Sequence, residues 1–307
     1  MTLKEKIKLF IRRVECNPPM VSRHLTVRDW GDTSLSFQES IPSIIWIYWH
    51  SEIITSPITK FCVEKIKNIN PNLTVRLLNQ NNLKEWLPEF PEVNSCLPLA
   101  NVSDLIRLML LDKYGGFYLD ASVLLTEPIH WLTDLREKHH SEFVGYYTDI
   151  NTRNSRYPTI ETWCIGAIPH SAFIHDWLDE YKKCFFSIDP DAFYDNHPEL
   201  SLEESVLGGK YHKCYFSCQL VIRRKQSYRL TLIKADDDAF LYSLGIKKNW
   251  NDISLAEFLL VCKAEKCMPK MIKIINTARK RLDEWVSKGY YRKDSYLGQY
   301  IGKEILQ

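Results

Sequence analysis

Residues 102–125 read VSDLIRLMLLDKYGGFYLDASVLL. We expect a helix over residues 102–114 that ends at Gly115-Gly116, because a glycine can adopt the left-handed backbone conformation that closes a helix. The apolar residues that follow predict a strand over 117–125. A helix that leads directly into a buried strand is typical of an α/β protein.

The segment before this stretch has the same alternation. Residues 41–50, IPSIIWIYWH, are rich in β-branched and aromatic residues and predict a buried strand that ends at a polar loop. We expect a helix over 60–68, a turn over 70–72 and a second strand over 73–78. This β-α-β order predicts an α/β fold with a mostly parallel central sheet flanked by helices.

The composition limits the classes of function. With 307 residues, of which 45% are hydrophobic and 25% charged, the chain is typical of globular proteins. Its net charge of +2 argues against nucleic acid as the main partner. The nine Cys form no CxxC pair and no secretory leader is visible, so we expect a reducing compartment, the cytoplasm. No apolar run approaches the roughly 20 residues that cross a bilayer.

The two ends of the chain are more basic than the middle. Residues 1–14 predict a basic amphipathic helix, which either lies on an anionic membrane surface or packs its apolar stripe on the domain. Basic residues also outnumber acidic ones toward the carboxyl terminus. We therefore expect an amino-terminal helix and linker over 1–38, a central α/β domain over 39–250, and a basic helical extension over 251–307 that packs on that domain.

Asp120 is an isolated carboxylate in an apolar strand. In open α/β sheets ligands bind at the carboxyl ends of the strands, where this residue is expected. A buried carboxylate is costly unless a cation or hydrogen-bond donors compensate it. A divalent cation that bridges Asp120 to a diphosphate would do so, because hard cations combine few protein carboxylates with substrate phosphates.

Asp104 and Arg107 lie three positions apart and therefore share one face of the predicted helix. A carboxylate beside a guanidinium group suits the vicinal hydroxyls of a sugar. The alternative is structural: Asp104 favours the helix amino terminus and Arg107 pairs with it. We expect a surface pair that contributes little to stability.

The runs SDLIR (103–107) and KYGGFYLDAS (113–122) resemble the signature of the DXD-motif glycosyltransferases, including the capsular polysaccharide synthesis proteins. The strand at 41–49 resembles the first strand of the same fold, and weaker similarity covers 161–167 and 268–273. The resemblance implies a GT-A fold, a nucleotide-diphosphate sugar donor, a UDP-sugar by preference, and Mn²⁺ or Mg²⁺. Ser122 departs from the pattern, because most members have a second Asp there.

The resemblance also implies roles for individual residues. Asp104, Arg107 and Asp120 would be catalytic, and Asp120 and Ser122 would hold the metal. The donor would be bound by these three catalytic residues together with Trp46, Ile47, Tyr48, Trp49, Tyr118, Ala121, Ser122, Asn249 and Trp250. The acceptor would contact Glu161, Thr162 and Trp163.

The implied activity is transfer of a hexose or N-acetylhexosamine, with retention, to a lipid-linked oligosaccharide in bacterial capsule or O-antigen (lipopolysaccharide) synthesis. The expected location is cytoplasmic, with peripheral contact to the inner face of the plasma membrane. Two alternatives remain open: a toxin-like effector that glycosylates a host protein, and a non-catalytic relative that binds a glycan or a partner. The consecutive acids Asp236, Asp237 and Asp238 could suggest the paired carboxylates of a glycosidase. Consecutive acids more often form a solvated turn, which is the interpretation we favour.

Overall fold

The structure is a computed structural model that describes residues 7, 10–11, 18–22, 24–93, 97–195, 197–200, 212–245 and 249–305. Its strands are β1 (Val27–Gly31), β2 (Ile44–Tyr48), β3 (Thr74–Leu78), β4 (Gly116–Leu119), β5 (Val123–Leu125), β6 (Phe143–Thr148), β7 (Thr159–Ala167), β8 (Arg229–Lys234) and β9 (Met271–Lys273). Its helices are α1 (Pro57–Ile69), α2 (Leu83–Trp86), α3 (Leu99–Tyr114), α4 (His130–His139), α5 (Ala172–Phe185), α6 (Lys213–Arg224), α7 (Leu241–Leu244), α8 (Asp252–Leu260) and α9 (Asn276–Ser287).

A seven-stranded sheet in the order β1-β8-β6-β7-β4-β2-β3 organises the molecule. Five strands, β2, β3, β4, β6 and β8, run in one direction, while β1 and β7 run in the other. This arrangement confirms the predicted α/β class with a mostly parallel central sheet flanked by helices. Because β2 and β4 are parallel neighbours, Tyr48 and Leu119 end at the same edge of the sheet.

Alternating side chains on β2 divide the interior into two layers. Ile45 and Ile47 belong to the apolar cluster on one face, whereas Trp46 and Tyr48 belong to the cluster that contains the apolar side of α3 on the other. This follows from the period of two in a strand, where successive side chains point to opposite faces. Both faces of the sheet are therefore buried, as expected for parallel strands.

The helix α3 ends as the sequence predicts. Gly115 has a φ of 62° and Gly116 a φ of 93°, which residues with a side chain rarely adopt. A Cβ on Gly115 would also lie 2.6 Å from the backbone nitrogen of Pro169. The two glycines therefore let the chain turn from α3 straight into β4 beneath the 168–169 backbone.

The strand predicted over 117–125 was wrong in one respect, because two strands occupy this stretch. The N–H of Val123 donates to the carbonyl of Asp120 at 3.0 Å and closes a turn between β4 and β5. After the turn, β5 leaves the main sheet and pairs antiparallel with β9. The interruption places Asp120 and Ser122 in a turn at the sheet edge.

The carboxyl-terminal region packs against the sheet domain. A third apolar cluster joins residues of α8 and α9 to Ile58 and Phe61 of α1 and to Leu124 of β5. The region also contributes β9, so it is more than the helical extension that the sequence predicted over 251–307. At the other end, β1 lies inside the segment expected to be helix and linker, yet pairs with β8.

Of the helix predicted over 1–14, only Ile7, Phe10 and Ile11 are among the described residues, and their side chains are exposed. Within the described part of the chain, no helix has both the length and the apolar character needed to cross a membrane. Six described cysteines are free.

Candidate functional site

Two charged side chains of α3 point into the protein. The Nη2 of Arg107 lies 3.2 Å from Oδ1 of Asp104, as the spacing of three on one helical face predicts. The side chains are only 5% and 8% exposed, respectively. The expectation of a surface pair was therefore wrong, because the face that carries the pair packs against the sheet.

Arg107 connects this pair to the end of β4. Its Nη2 also lies 3.4 Å from Oδ1 of Asp120, whose side chain is 25% exposed. Asp120 is the most open of the three side chains. The structure thus brings together Asp104, Arg107 and Asp120, which lie up to 16 positions apart in the sequence, around one guanidinium group.

Backbone and aromatic contacts fix the guanidinium group of Arg107. Its Nη1 donates to the carbonyl of Thr162 at 2.5 Å, and its Nε donates to the carbonyl of Ser103 at 3.2 Å. The group also lies over the ring of Tyr118, 4.6 Å from the ring centroid. The Tyr118 hydroxyl and the Ser103 Oγ are 2.9 Å apart. Arg107 is therefore held rigidly, as a group that orients a ligand must be.

Lys273 on β9 completes the cluster, and the sequence analysis did not identify it. Its Nζ lies 2.5 Å from Oδ2 of Asp120 and 3.2 Å from Oγ of Ser122. Two signals were available, a single lysine in the apolar run MIKI (271–274) and the weak family similarity over 268–273. The first signal was obscured because Lys273 is one of many basic residues near the carboxyl terminus.

The two acids of the cluster differ in their pKa values. Burial raises the pKa of Asp104 to about 7, although Arg107 opposes the shift. Burial also raises the pKa of Asp120, but Lys273 and then Arg107 outweigh it and hold that pKa below its ordinary value. At neutral pH Asp120 is ionised, whereas Asp104 is poised between its two forms.

The residues expected to bind the acceptor lie beside this cluster on β7. Glu161 accepts hydrogen bonds from Nε1 of Trp163 at 2.7 Å and from the hydroxyl of Tyr215 at 2.9 Å. Burial raises the pKa of Glu161 to about 7. All three side chains, Glu161, Thr162 and Trp163, are buried. Their contacts support the site from within, and contact with an acceptor stays a prediction.

The four donor residues expected on and after β2 occupy different places. Trp46 and Ile47 are buried in the core, and Nε1 of Trp46 donates to the carbonyl of Gly115 at the opposite end of β4. Their side chains leave no surface for a donor. Tyr48 and Trp49 lie at the carboxyl end, where the Tyr48 hydroxyl is 3.0 Å from Nδ1 of His50. His50, exposed at this edge, was not predicted.

Trp250 and Asn249 follow residues 246–248, which lie outside the described residues. The Trp250 side chain is 41% exposed, and its ring centroid lies 4.8 Å from that of Phe240. Phe240 in turn contacts Trp163 at 5.5 Å. Trp250 is thus linked to Trp163 by a chain of aromatic contacts. Ala121, in the turn between β4 and β5, is buried. The donor role of Asn249, Trp250 and Ala121 stays a prediction.

The side chains around Asp120 do not fit the implied Mn²⁺ or Mg²⁺ ion. Both carboxylate oxygens of Asp120 already face cations, Arg107 and Lys273, and the hydroxyl of Ser122 accepts from Lys273. A divalent ion here would meet an ammonium group at close range, which is unfavourable. The predicted metal site lacks support in these contacts.

Comparison with known proteins adds independent information. The model of a family described as capsular polysaccharide synthesis protein matches residues 30–187, just over half of the chain. An O-glycosyltransferase, braB, from Annulohypoxylon truncatum is 25% identical over 177 residues, which are 51% of this chain and 41% of that protein. The chain thus matches less than half the length of this relative.

Among solved structures, the PaToxG glycosyltransferase is similar at 13% identity and a TM-score of 0.34. The match covers 71% of this chain and 94% of that structure. The family match includes Asp104, Arg107 and Asp120, whereas Lys273 lies beyond it.

Proposed function

Because the chain belongs to the capsular polysaccharide synthesis protein family, we propose that it is a glycosyltransferase. It transfers a hexose or N-acetylhexosamine from a nucleotide-diphosphate sugar, by preference a UDP-sugar, to a lipid-linked glycan of bacterial capsule or O-antigen, with retention. The observation that carries the proposal is the junction of Asp104, Arg107 and Asp120 at the carboxyl end of β4.

The chemistry of this junction suits a sugar donor. A rigid guanidinium group between two carboxylates offers both donors and acceptors to the hydroxyls of a hexose. Transfer proceeds through displacement at the anomeric carbon, so the protein must hold the donor in line with the acceptor and stabilise the departing diphosphate. Asp104 and Arg107 would hold the sugar, and the more open Asp120 edge would face the diphosphate.

The nucleotide would lie along the end of β2. Tyr48 and Trp49 end that strand next to β4, and Trp49 is partly exposed. An aromatic ring at this edge can stack on a base. This arrangement leaves the β7 side, next to Glu161 and Trp163, for the acceptor.

A panel of nucleotide sugars tests the proposal. A donor that binds the native state raises the apparent stability, so the matching nucleotide sugar should raise the midpoint of thermal unfolding. The same compound should release its nucleoside diphosphate when incubated with the protein. A non-catalytic binding protein would give the stabilisation without the release. If no nucleotide sugar does either, the proposal is wrong.

We further propose that the protein works at the cytoplasmic face of the plasma membrane. Ile7, Phe10 and Ile11 are exposed apolar side chains at spacings of three and four, which supports peripheral contact with an anionic lipid surface. Deletion of residues 1–14 should lower sedimentation with vesicles that contain anionic lipid. Unchanged sedimentation would favour the alternative in which this segment packs on protein.

A further inference from the structure

We propose that the ammonium group of Lys273 binds the diphosphate of the donor, in the place where the motif implied a divalent metal. The inference rests on the proposed function, because it assigns the cation of the same donor site. Lys273 lies on β9, outside the motif at 103–122 and outside the family match, in a stretch (268–273) whose similarity to the family is weak.

The ammonium group of Lys273 lies next to the two side chains that the motif assigned to the metal. Its Nζ contacts Asp120 and Ser122, the two residues expected to hold the ion, at 2.5 Å and 3.2 Å. An ammonium group has three N–H donors. Two are directed to these contacts, and the third can reach a phosphate oxygen.

The backbone fixes Lys273 in register with the motif. Its Cα pairs with that of Val123, its N–H donates to the carbonyl of Ala239 at 3.0 Å, and the N–H of Ile274 donates to the carbonyl of Ser122 at 3.1 Å. A backbone hydrogen bond thus joins Ser122 to the residue after Lys273. Unlike a metal ion, the ammonium group of Lys273 is part of the chain and does not have to bind from solution.

The contacts around Asp120 favour an anionic ligand. Two cationic side chains, Arg107 and Lys273, flank the same carboxylate group from opposite elements of the fold. The side chain of Lys273 is almost buried, whereas that of Asp120 is one quarter exposed. A diphosphate that approaches the exposed side of Asp120 would therefore meet two cationic groups in a poorly solvated setting, where electrostatic attraction is strong.

Calorimetric titration with UDP and with GDP, in EDTA and then in Mn²⁺, tests the proposal. We expect the wild-type protein to bind one of these nucleoside diphosphates equally well in both buffers. Lys273→Met should weaken that binding by about 10- to 100-fold, the effect of one hydrogen bond to a charged group. Lys273→Arg should restore most of it.

Lys270→Met is the matched control. Lys270 precedes the same strand and pairs with Glu127, so this change removes the same charge at a position away from Asp120. It should leave binding unchanged. Ser122→Asp supplies the missing carboxylate and should make binding stronger in Mn²⁺ than in EDTA.

The outcomes separate the two proposals. Binding by the wild type that requires Mn²⁺ would overturn the role of Lys273 and leave the proposed function standing. Equal binding by Lys273→Met and the wild type would do the same. Failure of the wild type to bind either nucleotide in both buffers, together with no response to the sugar panel, would instead overturn the proposed function. If Lys273→Met does not fold, the EDTA comparison on the wild type still decides.

Discussion

Acids follow two strands at the same edge of the sheet, and they differ in the groups that they contact. Asp120 follows β4, and Asp236 and Asp238 follow β8, which runs in the same direction. Asp238 accepts from the hydroxyl of Tyr146 at 2.5 Å and from the N–H of Lys270 at 2.7 Å. Asp236 accepts from the N–H groups of Asp149 and Ile150.

These two acids are buried and hydrogen-bonded to neutral groups, so the expectation of a solvated turn was wrong for them. Asp120 instead faces two cations and is partly open to solvent. Neutral fixed donors satisfy a carboxylate as part of the structure. Cations beside a partly exposed carboxylate can also bind an anionic ligand. The type of hydrogen-bond partner therefore distinguishes a structural acid from an acid in a binding site.

The largest expected effect is that of Arg107→Ala. Removal of this side chain leaves Asp104 buried without its cation, and breaking a buried pair costs about 3–5 kcal/mol. We expect a lower free energy of unfolding in urea together with loss of nucleoside diphosphate release. This replaces the expectation that the pair of Asp104 and Arg107 contributes little to stability. A variant that keeps wild-type stability would show that Asp104 does not need its partner.

Asp120→Asn should act on activity more than on stability. The amide removes the negative charge that holds Lys273 and Arg107 in place, and loss of one such electrostatic group costs about 10²–10³-fold in turnover. Release of nucleoside diphosphate from the identified donor measures this. Full activity in the variant would place the chemistry elsewhere.

Asp238→Asn makes the same chemical change at the structural acid. The amide has one acceptor oxygen for two donors, so we expect a loss of about 1–3 kcal/mol in the free energy of unfolding. Activity per folded molecule should stay at the wild-type level. Loss of activity without loss of stability would remove the distinction between the two acids.

A further expected effect is the pH dependence of stability that Asp104 contributes. Its pKa of about 7 in the native state lies above the ordinary value of 3.8, because the side chain is buried. The native state therefore holds this proton more tightly, and the associated stability is present below pH 3.8 and lost as the pH rises toward 7. Asp104→Asn should show a smaller fall in stability over that range than the wild type. Parallel curves would mean that Asp104 has an ordinary pKa.

The local pattern predicted much of the fold. The period of two in β2 and the glycine stop after α3 were sufficient to place these elements, because both depend on neighbours in sequence. The break between β4 and β5 was missed, since it depends on pairing with β9 about 150 residues later. Lys273 was missed for the same reason: the contact with Asp120 joins positions that are 153 residues apart.

For the site as well, the sequence predicted what depends on local spacing and missed what depends on tertiary packing. The spacing of Asp104 and Arg107 was enough to pair them, but not to show that they are buried, because burial depends on which face of α3 packs on the sheet. Trp46 and Ile47 were expected at the donor, and alternation along β2 instead directs them into the core. Residue type alone does not separate a stacking ring from a packing ring.

A crystal structure of the protein with its nucleotide-diphosphate sugar tests the site most directly. We expect the diphosphate in contact with Lys273 on the exposed side of Asp120, and the sugar hydroxyls on Asp104 and Arg107. A donor bound away from the carboxyl ends of β2 and β4 would contradict the proposed site.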